Sequence, residues 1–398
     1  MSDSTAVVVI GGGYAGVMAA NRLTRRDDVT VTLINPRPAF IQRIRLHQVT
    51  AGSGEAVVEY ADVLSPRVRL VVDAADRIDT AERDVHLASG DAVHYDYLVY
   101  AAGSAGPEPR VPGAGEFAYT MDTLEAAQRL RKVLDATPES APVVVVGSGP
   151  TGNEVAAELA EAGRTVTLVA GTTVAPYVHP RARRSIAKGL ARLGVTVLEG
   201  PDAKAAEVTA DAVRLTGGRE LPSAVTIWTA GFGVPDLAAR SGLRTDELGR
   251  LITDETLTSV DDERIVAAGD SASPSGVPLR MSCQAALPLG AHAADTVLSR
   301  LAAERPATID IGLPAVCTSL GQGHATMQFV AKDGEPMGLF VGGRLGSRLK
   351  EITYPHVLEK LAREAREPGA FVWKPKDERR PRLLAERGET AALADRAA

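Results

Sequence analysis

Two short glycine runs stand where a chain could hold phosphate. Gly11, Gly13 and Gly16 form a Gly-x-Gly-x-x-Gly pattern, and Gly147, Gly149 and Gly152 repeat it later in the chain. In such a pattern the first glycine permits a tight turn and the second lets the backbone approach a pyrophosphate. The third lets a helix pack closely on a strand. The following helix offers free N–H groups and a positive dipole end to the phosphates. Gly12, Tyr14 and Ala15 in the first loop, and Pro150 and Thr151 in the second, belong to the same candidate cradles. Glycines also serve plain turns, so the flanking elements decide.

Those elements recur with the glycines. Apolar runs at 7–10 and 143–146 read as buried strands; helix-like segments at 17–25 and 153–162 follow, then second strands at 29–35 and 164–170. This is strand–turn–helix–strand twice, the unit of a doubly wound α/β fold. Further strand-like runs end in glycine: 97–103 in Ala102-Gly103, 225–231 in Gly231, and 265–270 in Gly269-Asp270.

Several residues beside these runs are candidates for ligand contacts. Asn35 ends the second strand, where an acid would bind a ribose. Its amide can hydrogen-bond the hydroxyls without charge assistance, or it caps the turn before Pro36. Ala170 fills the matching slot of the second unit, which removes the repulsion an acid would exert on a 2′-phosphate. Arg181, Arg183 and Arg184 could fold back to bind that phosphate, or form a solvated helix face, so NADH and NADPH both remain open. Asp270 at the end of a buried run suits a ribityl hydroxyl of FAD; the alternative is a helix N-cap.

Met281-Ser282-Cys283-Gln284-Ala285 opens a helix whose positive end, aimed at a flavin, would favour the reduced ring. Cys283, Gln284 and Ala285 are therefore placed against the cofactor, with Cys283 read as packing rather than as a redox thiol. Arg43 is a candidate for the FAD pyrophosphate. His47 is a candidate proton donor near the reactive ring, or a structural histidine on a helix.

The bulk properties bound the rest. At 398 residues the chain is too long for one core. A formal net charge of −6 gives no reason to expect nucleic-acid binding. Only Cys283 and Cys317 are present, which rules out a disulfide framework and a Cys-x-x-Cys site and suits a reducing cytoplasm. No metal site, secretion signal or membrane span is expected. Residues 107–115, rich in Pro and Gly, read as a linker; the last stretch of chain, charged from Lys374 on, reads as a tail that frays over 390–398.

Together the glycine motifs, the Ala-Gly strand ends and Gly269-Asp270 resemble the two-dinucleotide-binding-domain flavoproteins. Gly147-Ser148-Gly149-Pro150-Thr151-Gly152-Asn153-Glu154 is similar to the Gly-Pro-Thr-Gly-x-Glu segment of type II NADH dehydrogenases and apoptosis-inducing-factor-like quinone reductases. Leu46-His47-Gln48-Val49-Thr50-Ala51-Gly52 resembles their Leu-Tyr-Gln-Val-Ala-Thr-Gly segment, and Cys283-Gln284-Ala285 their Ala-Gln-x-Ala helix start.

The resemblance implies two Rossmann-like domains in a glutathione-reductase-like architecture, with a small C-terminal α+β domain. FAD would bind to 1–110 with 246–307 and NAD(P)H to 111–245, with 308–398 forming the C-terminal domain and tail. It implies a place for Glu154 near the nicotinamide carboxamide, with His47, Gln284 and Glu154 as the catalytic set. The implied reaction is hydride transfer from NADH or NADPH to FAD, then two electrons to a quinone. The alternatives are a specialised metabolite as substrate, a small electron-transfer protein as acceptor, or a nucleotide-switched interaction protein without turnover. The departures are Asn35 and Ala170 in place of family acids, the missing cysteine pair, and no evident C-terminal amphipathic helices. Membrane contact is thus at most peripheral, at the inner face, and a homodimer remains open.

Overall fold

The computed structural model describes residues 4–106 and 109–397; Pro107 and Glu108 of the expected linker lie outside the described residues. The chain forms β1 (Thr5–Ile10), β2 (Val29–Asn35), β3 (Val68–Val72) and β4 (Tyr97–Tyr100). It then forms β5 (Ala118–Tyr119), β6 (Val143–Val146), β7 (Val166–Gly171), β8 (Thr196–Glu199) and β9 (Val225–Trp228). It returns with β10 (Ile265–Ala267) and ends in β11 (Ala315–Ser319), β12 (Ala325–Val330) and β13 (Pro336–Val341).

The first sheet has the order β10-β4-β1-β2-β3 and the second β5-β9-β6-β7-β8. Every pairing in both is parallel. Parallel sheets are covered on both faces, which is why 6–10 in β1 and the whole of β6 read as unbroken apolar runs. Val7, Val8 and Val9, and all four residues of β6, are buried. The last sheet, β11-β12-β13, is antiparallel.

Helices α1 (Tyr14–Leu23), α2 (Leu46–Ala51), α3 (Pro150–Glu161), α4 (Pro180–Arg192), α5 (Cys283–Leu301) and α6 (Gly343–Arg366) complete the frame. Close approach of α1 and α5 requires Gly290, where a Cβ would collide with the Ala15 carbonyl. Buried Asn21 on α1 donates to the Val63 and Leu361 carbonyls and accepts from the Ser65 N–H, so a polar group in the core is satisfied.

The C-terminal region is fastened to the first sheet's helices. Arg22 pairs with Asp295 at 2.7 Å and with buried Glu364 at 3.2 Å, and Glu364 also accepts from the Gly369 and Phe371 N–H groups. The charged terminal stretch does not fray as expected. It is helical over Arg380–Ala397, and buried Arg380 forms two hydrogen bonds to Glu255 and one to the Val277 carbonyl. Charge in a sequence suggests solvation, but a guanidinium is tolerated in the interior when a carboxylate and carbonyls satisfy its donors.

Candidate functional site

The glycine loops are built by steric exclusion. Gly11 has φ +102°, and a Cβ there would strike the Ala101 carbonyl; a Cβ at Gly16 would strike the Gly11 carbonyl. The second loop repeats this: Gly147 has φ +111°, and a Cβ on Gly152 would strike the Gly147 carbonyl. The middle glycines differ in kind. A Cβ on Gly13 or Gly149 would meet nothing within 4 Å, so each faces open space at the start of a helix. Pro150 occupies the first turn of α3, where its missing N–H costs nothing. Exposed Thr151 follows it, and Gly231 (φ +89°) turns the chain after β9.

Asn35 braces the first loop. Its Oδ1 accepts from the Gly12 N–H at 3.0 Å and its Nδ2 donates to the Arg37 carbonyl at 2.8 Å. Tyr60, a residue with no motif to mark it, donates to the Gly12 carbonyl at 2.9 Å, and its hydroxyl blocks any side chain at Gly12. Tyr14 is buried edge-to-face on Phe40, with ring centroids 5.1 Å apart.

Asp270 joins three segments. Its Oδ2 accepts from the Ser104 hydroxyl at 2.7 Å and its Oδ1 from the Ser282 N–H at 3.2 Å. Arg43 donates to the Ser104 carbonyl and hydroxyl and to the Asp122 carbonyl. Gly103 (φ +74°), next to partly buried Ala102, donates its N–H to Ser271 Oγ. The cap of α5 is Ser282, whose Oγ accepts from the Ala285 N–H, so Asp270 is not that cap. Gly269 (φ +73°) brings the turn against Ala15.

At the head of α5 the buried Gln284 Oε1 has no hydrogen-bond partner within the protein, and neither has His47 Nε2. Buried polar atoms are normally satisfied. Open space at Gly13 and orphaned polar atoms at the other end fit a long cofactor with phosphates at one end and a hydrogen-bonding ring at the other. The residues therefore fit FAD. Burial pushes the Cys283 thiol up to about 11 and Cys317 up to about 12, so neither is a thiolate at neutral pH.

Glu154, on α3, lies where the second sheet meets the last one. Its Oε1 accepts from the Ser319 N–H at 2.9 Å, and its Oε2 is 3.8 Å from His47 Nδ1. Burial pushes its carboxyl up to about 7, opposed by the positive field of Lys350. Burial and the nearby cations Lys350 and Arg45 push His47 down to about 3, so its ring is neutral at neutral pH. At neutral pH the Glu154 carboxyl is thus the group near its titration point, while the His47 ring stays neutral. Glu158, one turn on, is buried and accepts from the Ser53 hydroxyl at 2.6 Å. A cavity of about 520 Å³ opens beside these groups, lined by Arg45, Gln48, Ser53, Ser319, Gln322 and Lys350 among others. Tyr60, Ser104, Ser53 and Lys350 carry no sequence signal, because each acts through a partner far along the chain.

Two of the three arginines considered for a 2′-phosphate line a separate cleft. Arg181 and Arg184 face the last sheet, in a cleft that none of the second-loop glycines lines.

Comparison with known proteins agrees with this architecture. An NADH dehydrogenase-like protein of Mycobacterium tuberculosis is 34% identical over 75% of this chain and 81% of its own length. A type II NADH:quinone oxidoreductase of the same organism is 28% identical over 76% of this chain and 74% of its own. The structure of NDH2 from Plasmodium falciparum in complex with NADH superposes with a TM-score of 0.77 at 14% identity, covering 91% of this chain and 97% of that one, a likeness of fold. The family model for pyridine nucleotide-disulphide oxidoreductases matches residues 5–290, and the chain belongs to that family.

Proposed function

We propose that the chain is an FAD-dependent NADH:quinone oxidoreductase. The observation that carries this is the pair of open cradles at Gly13 and Gly149, each at the head of a helix. We assign 1–110 and 246–307 to FAD, 111–245 to NADH and 308–398 to a C-terminal domain over the acceptor cavity. The type II NADH:quinone oxidoreductase among its relatives supports the choice of acceptor.

FAD held there would supply the hydride acceptor for the nicotinamide and the two-electron donor for the acceptor. The chain binds, orients and moves protons. Gly11, Gly13 and Gly16 hold one pyrophosphate, and Gly147, Gly149 and Gly152 the other. Asp270, fixed by Ser104 and Ser282, is aimed at the ribityl chain. The start of α5 at Cys283, Gln284 and Ala285 would present its positive end to the flavin ring. Glu154, with a carboxyl near neutrality, gives up the proton that quinone reduction consumes, and the cavity beside Lys350 admits the quinone. Among the described residues no helix is long and apolar enough to cross a membrane; peripheral contact at its inner face would bring a lipid-dissolved quinone within reach.

Stopped-flow mixing with NADH and NADPH, followed by a panel of quinones and small electron-transfer proteins, tests this reading. Bleaching of the flavin by NADH and reoxidation by a simple quinone are expected. Rapid bleaching without reoxidation by any quinone would sink it.

A further inference from the structure

A second cavity, of about 610 Å³, lies between α4 and the last sheet. Arg181, Arg184, Lys188 and Arg192 follow one another along one face of α4 and line it, with His324 opposite. Its floor is apolar, made by buried Leu320 and by Phe340. The frame is tight. A Cβ on Gly189 would come within 2.5 Å of Leu320, and Ser185 Oγ sits 3.3 Å from Thr326 Oγ1.

Among the described residues that line this cleft there is no carboxylate, and none of the four α4 cations forms a salt bridge. Elsewhere arginines such as Arg22, Arg37, Arg244 and Arg380 are each paired with a carboxylate. Like charges at i,i+4 repel, so four on one helix face are unfavourable unless a negative ligand sits among them. Desolvation first, and then Arg192 and Arg344, push His324 below its ordinary range, with Glu161 opposing. Guanidinium groups suit phosphate because their N–H donors match its oxygens in pairs.

We propose that this cleft binds a phosphate-bearing anion and is separate from both dinucleotide cradles. It shares no lining residue with either glycine loop, and its occupancy does not depend on which acceptor the enzyme uses. The phosphate comes either from a soluble organic phosphate, whose body rests on Leu320 and Phe340, or from an anionic lipid headgroup.

The FAD-loaded full chain is titrated with inorganic pyrophosphate by calorimetry, and sedimented in parallel with phosphatidylglycerol and with phosphatidylcholine vesicles. Wild-type protein is expected to bind pyrophosphate, which assigns the site to soluble phosphates, or only the anionic vesicles, which assigns it to a headgroup. In Arg184→Glu/Lys188→Glu the responding arm weakens by at least about tenfold, and flavin reduction by NADH is unchanged. Arg184→Gln/Lys188→Gln gives a smaller loss in the same arm and serves if the reversed variant fails to fold. The proposal is overturned if wild type binds neither probe, or if the folded variants bind as wild type does. It is equally overturned if the variants raise the KM for NADPH but not for NADH, because the cations then serve the 2′-phosphate.

Discussion

The Glu154 carboxylate accepts a hydrogen bond from the Ser319 backbone N–H at 2.9 Å, tying the helix of the second glycine loop to the last sheet. The contact puts an acid whose carboxyl titrates near 7 at the edge of a 520 Å³ cavity, with His47 on its other oxygen. Its effect on pH behaviour has a definite sign. The folded-state value lies above the ordinary 4.5, so the native state binds more protons than the unfolded chain in between. The contribution is fully present below about pH 4.5 and is lost as pH rises through 7. Glu154→Gln removes this drop. Urea midpoints at pH 5 and pH 8 are expected to lie closer together in the variant than in wild type, and quinone reduction should lose its inflection near pH 7. An unchanged inflection would assign it to another group.

Gly149→Leu should stop reduction by NADH while FAD stays bound. Nothing stands within 4 Å of a Cβ there and the residue has φ −68°, so the side chain folds without strain and fills the space of the second pyrophosphate. Absorbance before and after adding NADH reads both properties at once. Loss of yellow colour on purification would mean that the two cradles are assigned the wrong way round.

Asp270→Ala should weaken FAD binding by about one to two powers of ten, since a charge-assisted hydrogen bond contributes roughly 1.5–3 kcal/mol. The variant also frees the Ser104 hydroxyl and the Ser282 N–H. Asp270→Asn keeps an acceptor for Ser282 and should recover part of the loss. Titration of apoprotein with FAD ranks the three proteins; equal affinities would remove Asp270 from the cofactor site and leave it as a brace.

Glu364→Ala should destabilise the protein by about 3–5 kcal/mol, the usual cost of breaking a buried pair from one side. Arg22 keeps Asp295, but the Gly369 and Phe371 N–H groups lose their acceptor in the interior. Urea unfolding followed by circular dichroism measures this. A loss below about 1 kcal/mol would mean that the C-terminal segment docks by apolar contact alone.

The sequence by itself determined the parts whose physics is local. A Cβ on Gly16 or Gly152 would meet the carbonyl of Gly11 or Gly147 one turn away, and Gly11 and Gly147 adopt positive φ, so the four announce a strand–turn–helix without knowledge of the rest. Unbroken valine runs likewise mark strands covered on both faces. Only the tertiary structure decided what the polar side chains do. His47 and Glu154 are ordinary titratable residues in the sequence. Burial, the largest cause for both, makes one neutral and brings the other near pH 7, while Lys350, which arrives from far along the chain, lowers both. Asp270 fits a ligand contact or a helix cap until Ser104 and Ser282 are seen to hold it. Arg181 and Arg184 show as charge in the sequence, but the direction of that charge depends on which sheet α4 packs against. Burial and the field of distant charges are sums over the whole fold, and no window of sequence contains them.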